Sequence, residues 1–229
     1  MLRESEIKGL AVPGMVQKIR ATLFADDTTV YLSEEDDFSM VQNILDVWCS
    51  ASKAKFNIAK TELIPIGNKA FRERMVSTHK TTGRWMNYPE GARAAADGEP
   101  VRILGAFLGN GIDQAGVWTP KLEKIQATLD RWGKHHTTLP AKKHVVQMVA
   151  GGVTQFLAEV QSMPTEVTRR LAKIIRGYLW EGRRIPPISD EQLHKTWSSG
   201  GIDLLDLQAR NDAIQIMWIK SYLAIGMNR

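Results

Sequence analysis

The sequence predicts an α+β chain in which a small strand-bearing part, residues 1–117, precedes a mostly helical part, residues 118–229. Three observations carry that prediction. Apolar and polar residues alternate on both sides of Ala25-Asp26-Asp27, from Ile19 to Leu32. A second, glycine-punctuated apolar run spans Val101 to Gly109. From Trp118 onward the apolar period lengthens to that of a helix.

The first run predicts a β-hairpin with two aspartates at its tip. Ile19, Ala21 and Leu23 alternate with Arg20 and Thr22, and Val30 and Leu32 alternate with Thr29 and Tyr31. β-Branched and aromatic residues suit both arms, and Asp supports a turn by bonding to nearby backbone. A helix is predicted from about Ser39 to Ala51, with Val41, Ile44, Leu45 and Trp48 inward and Asp36, Asp37 or Ser39 as its cap. Phe56 to Ile66 reads as a loop entering a short strand that stops at Pro65 and Gly67. Residues 68–99 carry mixed charges, Gly83, Pro89, Gly91 and an alanine run, and predict an irregular insertion. Val101 to Gly109 then predicts one or two strands.

The helical part begins with the stripe Leu122, Ile125, Leu129 and Trp132, with Pro120 suited to a first turn. A second helix covers 142–160, and Gly151-Gly152 is placed to bend or interrupt it. A third runs from Thr165 to Trp180 with Val167, Leu171, Ile174, Ile175, Tyr178 and Leu179 inward, and Pro186-Pro187 ends any continuation. A last helix is predicted over Leu207 to Leu223, on the apolar residues Ala213, Ile216, Met217 and Ile219 with Trp218 and Tyr222.

Composition narrows the classes. Apolar residues at 43% and charged residues at 24% suit a globular chain. A lone cysteine, Cys49, excludes an internal disulfide framework and a cysteine-based zinc site. No stretch reads as a signal peptide or a membrane span, so the expectation is a soluble intracellular protein, in nucleus or cytoplasm. Charge is unevenly placed: residues 1–120 hold 14 Lys/Arg against 15 Asp/Glu, and residues 121–229 hold 16 against 10. A basic half fits a site that handles a polyanion, although modest positive charge also serves solubility.

The sharpest chemical feature is Phe24-Ala25-Asp26-Asp27 at the predicted tip. Neighbouring carboxylates at a tight turn can approach one magnesium-bearing cleft, since Mg2+ takes one or two carboxylates together with phosphate oxygens. Two such ions can activate an attacking hydroxyl and stabilise a leaving pyrophosphate. An Asp-Asp pair standing alone is more commonly a solvated acidic turn.

Its surroundings decide the weight. IRATLFADDTTVYLSEEDDF resembles the palm hairpin of non-LTR (LINE-like) retrotransposon reverse transcriptases, with wording closest to fungal elements. In that family an aromatic-Ala-Asp-Asp box carries catalytic carboxylates, so the resemblance implies Asp26 and Asp27 as metal ligands. The next block, CSASKAKFNIAKTELIPIG, resembles the family's following motif, Ser-Gly-x-x-hydrophobic-Asn and then Lys-Thr. Asn57, Lys60 and Thr61 match, while Lys53 stands where the motif has glycine. The match gives Lys60 a place near the incoming triphosphate; read without it, Lys60 is a solvated loop lysine. RILGAFLG resembles the primer-grip hairpin, with Leu104 and Gly105 central and Gly109 a weaker candidate. A structural turn explains these residues equally. WTPKLEKIQATLDRW, VVQMVAGGVTQF, the YLW block and SSGGIDLLDLQARNDAIQIMWIKSYL resemble the region downstream of the palm. The implied architecture is a partial palm followed by a thumb or connector, and the implied partners are a primer–template and deoxynucleotide triphosphates.

The family's first catalytic aspartate lies on an upstream palm strand, and no aspartate precedes Asp26. Without it the magnesium cage is incomplete, which costs about 100-fold or more in rate. The expectation is a chain inactive by itself, awaiting upstream polypeptide. Strands short of neighbours would also leave open edges that invite self-association.

In the basic half, Lys142, Lys143, Arg169, Lys173 and Arg176 are candidate phosphate contacts, the last three sharing one side of the third helix. An ordinary solvated amphipathic helix explains the same spacing. Trp118, Trp132, Trp180, Trp197 and Trp218 are possible base-stacking platforms, but their positions on apolar stripes predict that three or four are core. Histidine offers no metal motif, since His135 and His136 cannot share one site on a regular helix. Two other functions stay open: a noncatalytic nucleic-acid-binding remnant, and a relic without a role.

Overall fold

The computed structural model describes residues 1–13, 15–78, 91–135 and 137–224. They divide into two compact units. The first comprises Met1–Val101 with Gly109–Ile112, and the second comprises Arg102–Leu108 with Asp113–Arg229.

In the first unit, β1 (Ala21–Phe24) and β2 (Asp27–Val30) pair antiparallel, with Ala21 opposite Val30 and Phe24 opposite Asp27. Beyond the strands, Leu10 bridges Ile19, and the Tyr31 N–H donates to the Arg20 carbonyl at 2.8 Å. Gly9, at φ 65°, makes this approach possible: a Cβ there would lie 2.4 Å from the Ile19 carbonyl oxygen. Helix α1 (Phe38–Ser52) follows, capped by Asp37, whose carboxylate accepts the Ser39 N–H at 2.8 Å. A 3-10 turn, Ile58–Lys60, leads into β3 (Glu62–Leu63), which pairs parallel with β4 (Arg93–Ala94).

The irregular insertion predicted over 68–99 needs correction. Lys69–Thr78 is a helix, α2, and Arg93–Ala94 is a strand. Residues 79–90, including Gly83 and Pro89, lie outside the described residues. Helix α2 gives no periodic signal because its apolar content is low; only Met75 is buried. Arg72 anchors it by a two-pronged bond to Asp97, at 2.7 and 2.6 Å, which holds the Asp97 carboxyl below its ordinary value.

Helix α1 also departs from expectation. Phe38 and Val41 are buried, but Trp48 is exposed rather than inward. The apolar cluster of this unit is Phe38 and Ala92 with Leu32 and Leu63 against them. Polar clamps supplement it. Asp36, 4% exposed, accepts the backbone N–H groups of Lys8, Gly9 and Ser33 at 2.8, 3.1 and 2.8 Å. Burial pushes its carboxyl pKa up, but these donors together outweigh burial and lower it.

The second unit is built on helices. The β5 (Val101–Ile103) and β6 (Ala106–Leu108) strands form a hairpin whose Phe107 N–H donates to Gln161 Oε1 at 2.9 Å. Helix α3 (Thr119–Gly133) carries Pro120 in its first turn and buries Leu122, Ile125 and Leu129. Helices α4 (Leu139–Val146) and α5 (Gly152–Gln161) are joined through one π-helical turn, Gln147–Gly151. The interruption thus falls at the predicted glycines, where Leu205 Cδ2 would stand 3.4 Å from a Gly151 Cβ. Helix α6 (Thr165–Leu179) buries Val167, Leu171, Ile175, Tyr178 and Leu179. Short α7 (Asp190–His194) and long α8 (Leu207–Ala224) complete the unit; α8 buries Leu207 and Asn211, while Ile216, Met217, Trp218, Ile219 and Tyr222, which carried its prediction, are exposed. One apolar cluster, from Trp118 to Leu207, joins α3 to α8. The molecule is therefore a mixed α and β protein with small, two-stranded sheets. Among the described residues no helix is long and apolar enough to cross a membrane.

The tryptophans do not follow the sequence expectation. Trp118 is fully buried and Trp180 partly so, but Trp132, Trp197 and Trp218 are exposed. Trp132 lies in the last turn of α3 and Trp197 in a 3-10 turn, while Trp218 lies within α8 and its indole N–H donates to the Glu159 carbonyl.

Candidate functional site

The acidic hairpin is present, with a small shift of its tip. Ala25 and Asp26 form the two-residue turn, and Asp27 is already the first residue of β2. Ala25 takes φ 51°, a left-handed conformation that glycine normally fills at a hairpin turn. Holding an alanine there costs about 1 kcal/mol. Strand alternation sends Asp27 to the face of Phe24, its direct partner, while Asp26 projects from the turn. Both carboxylates are exposed, as are Leu23 and Phe24 at 65% and 66%. Neither aspartate has an ion-pair partner among the described residues.

Whether these residues fit the magnesium cage can be judged from the donor set. A single Mg2+ could take one or both carboxylates with waters and phosphate oxygens. A pair of ions needs more ligands, and no group of three or more His, Cys, Asp or Glu able to hold a metal occurs among the described residues. The two aspartates of this chain therefore do not complete a two-ion site by themselves. The four acids that follow are committed elsewhere. Glu34 pairs with Arg74 at 2.9 Å, Glu35 pairs with Lys8, Asp36 clamps backbone and Asp37 caps α1.

Lys60 ends the 3-10 turn Ile58–Lys60 and is exposed, without a bond to either aspartate. The segment before it turns sharply at the end of α1. Lys53 is the C-cap of α1, at φ 61° and ψ 9°, and its N–H closes the helix on the Cys49 carbonyl. That left-handed geometry is the one for which glycine is favoured after a helix. The backbone thus keeps a glycine-like turn although the residue is lysine.

Leu104 and Gly105 form the two-residue turn between β5 and β6, at φ 49° and 89°. Two positive φ values in succession are the mark of a type I′ turn, which favours Asn-Gly. A branched leucine in this region is an outlier, and its side chain is 48% exposed. Gly105 is constrained by space as well: a Cβ would come 2.8 Å from Phe156 Cε1. Sequence reasoning did not find Phe156 as the floor of this turn, because the contact spans the loop to α5. Gly109, at φ 159°, is extended backbone, and a Cβ there would meet the Glu99 carbonyl oxygen at 2.6 Å.

The basic candidates separate into two groups. Lys142 is buried, and its ammonium donates to the Leu179 carbonyl at 3.1 Å and to Glu181 at 2.9 Å, above the Tyr178 ring. Those bonds tie α4 to the end of α6 and turn the charge inward. Lys143 is 9% exposed, so little of it is presented to a partner. On α6, Arg169, Arg170, Lys173 and Arg176 are exposed, opposite the buried Leu171 and Ile175. Arg176 pairs with Asp190, and hydrogen bonding to that carboxylate raises its pKa. Arg169, Arg170 and Lys173 have no carboxylate partner among the described residues. His135 packs edge-on to Trp132, while His136 lies outside the described residues.

No family model matches the chain, and no curated protein does.

Proposed function

We propose that the chain is a piece of a non-LTR-type RNA-directed DNA polymerase, a partial palm followed by a thumb or connector, that adds deoxynucleotides only with an upstream palm strand. The observation that carries this reading is the hairpin whose turn holds Asp26 and whose second strand starts at Asp27. Lys53 in a left-handed conformation and Leu104-Gly105 at a hairpin turn support it, because glycine, the family's residue at the first position, favours that conformation. In the complete enzyme Asp26 and Asp27 are ligands for Mg2+, and Lys60 is a charge partner for the triphosphate. Leu104 and Gly105 are the primer-side turn.

Primer extension tests the reading. The purified chain alone gives no detectable Mg2+-dependent extension. Joined to an in-frame upstream segment bearing the Asp strand, it extends a primer, and Asp26→Asn removes that activity by about 100-fold or more. Extension by the isolated chain, or extension indifferent to Asp26→Asn, overturns it.

A second reading, noncatalytic nucleic-acid binding through the helical unit, is favoured by one observation: Arg169, Arg170 and Lys173 line an exposed face of α6 without carboxylate partners among the described residues. Under it, primer–template binding weakens when Arg169 and Lys173 are replaced. The salt slope then falls by about 1 for each phosphate those side chains had neutralised.

A further inference from the structure

The end of α1 carries an arrangement that neither the acidic hairpin nor the basic helix uses. Trp48 and Phe56 contact each other across the helix end, ring centroids 5.5 Å apart and planes tilted by 39°. Both stay exposed, at 44% and 37%, with Ile58 beside them in sequence at 45%. The left-handed turn at Lys53 reverses the chain and brings Phe56 back to the tryptophan. From Val47 to Thr61 the sequence holds Lys53, Lys55 and Lys60 and no aspartate or glutamate. All three lysines are exposed, and none has a carboxylate partner among the described residues.

We infer that Trp48 and Phe56 form a stacking platform for single-stranded nucleic acid, with Lys53, Lys55 and Lys60 meeting its phosphates. An aromatic pair of this size is too small for a stable protein interface, and the exposed lysines of this segment disfavour a purely apolar partner. A nucleobase offers an apolar face to the rings while its phosphate offers a negative charge to the lysines, so one ligand satisfies both features. The stacking is indifferent to base identity, because every base has a π-face. This inference rests on the nucleic-acid part of the reading above; it shares Lys60 with the triphosphate site of that reading, while Trp48, Phe56 and Lys55 belong to the platform alone.

The two halves of the platform leave different signatures. Phosphate contacts from three lysines give a plot of log affinity against log salt with a slope of about −2 for a single strand. Binding of a short labelled oligothymidylate to the full chain, followed by anisotropy at several salt concentrations, reads both. Trp48→Ala and Phe56→Ala each weaken binding by about tenfold at unchanged slope. Lys53→Gln, Lys55→Gln and Lys60→Gln combined flatten the slope by about 2. Trp48→Phe keeps affinity within about threefold and removes the part of the tryptophan quenching that belongs to the platform; this control holds even where an alanine variant folds poorly. Wild-type affinity in folded alanine variants, or a slope unmoved by the lysine changes, overturns the inference. So does self-association abolished by Trp48→Ala with oligonucleotide binding unchanged, which would assign the rings to an interface between copies. Absence of the platform effects while the completed enzyme still extends primers refutes the platform alone; the converse refutes the polymerase reading alone.

Discussion

The two units of this molecule are held together in different ways. In the second, apolar side chains from Trp118 to Leu207 make one cluster, and the helices bring Leu122, Ile125, Leu129, Val167 and Leu171 almost wholly out of solvent. In the first, the cluster is Phe38 and Ala92 with two partly buried neighbours. Scattered buried residues such as Ile7, Val41 and Val101 add to it, and backbone clamps and ion pairs supplement them: Asp36 on Lys8, Gly9 and Ser33, Arg72 on Asp97, Arg93 on Glu62. The unit with the poorer core carries the acidic hairpin, Lys60 and the Trp48–Phe56 pair. Exposed groups such as these cannot also build a core, whereas the helical unit buries apolar stripes along its helices.

This contrast predicts two separable unfolding transitions, and substitutions can break it from either side. The largest effect belongs to the core. Leu171→Ala lowers the stability of the second unit by about 4 kcal/mol, since Leu171 is fully buried. The transition of the first unit stays in place, as read by denaturant titration with hydrogen exchange. A shift of both transitions together would show one cooperative body.

Next comes Asp36. Asp36→Ala leaves three backbone donors without their acceptor and destabilises the first unit by about 2 kcal/mol. The sign with pH follows from its lowered pKa. The folded value lies below the ordinary 3.8, so the stabilisation is complete above about pH 4 and is lost as pH falls through the native value. Acid titration of the first transition should therefore show a decline below about pH 4 that Asp36→Asn flattens. An acid decline unchanged in that variant would move the effect to other carboxylates.

The smallest effect sharpens the contrast rather than breaking it. Leu104→Asn puts the preferred residue in the type I′ turn and stabilises the second unit by about 1 kcal/mol, because an exposed leucine has little packing to lose. A destabilisation of similar size would show that Leu104 is held by contacts that outweigh its backbone strain. If primer contact is the reason for the strain, the same change lowers extension by the completed enzyme while raising stability.

Periodic elements are legible in the sequence. The stripes of α3 and α6 appear with most of their buried residues, Trp132 and Ile174 excepted, because each runs several turns and meets partners along much of its length. The hairpins are legible from alternation and turn residues, although Asp27 belongs to a strand and not to the turn. What stays hidden depends on partners far apart in sequence. Nothing near Lys142 announces the Leu179 carbonyl that receives it, 37 positions away. Asp36 reads as a helix cap, yet its partners Lys8 and Gly9 lie 28 and 27 positions back. Helix α2 lacks an apolar stripe, so periodicity has nothing to detect. Trp48 shows the remaining failure: the period places it inward, but its ring stays exposed beside Phe56. Lys53 closes α1 in a left-handed conformation that a lysine seldom adopts.

The most direct measurement is paramagnetic. Mn2+ added to the labelled full chain broadens amide signals near whichever carboxylates bind it. The acidic hairpin reading predicts broadening centred on Asp26 and Asp27, strengthened by a deoxynucleotide triphosphate and removed by Asp26→Asn with Asp27→Asn. Broadening centred on residues 34–37, or none at the hairpin with the nucleotide present, would contradict it.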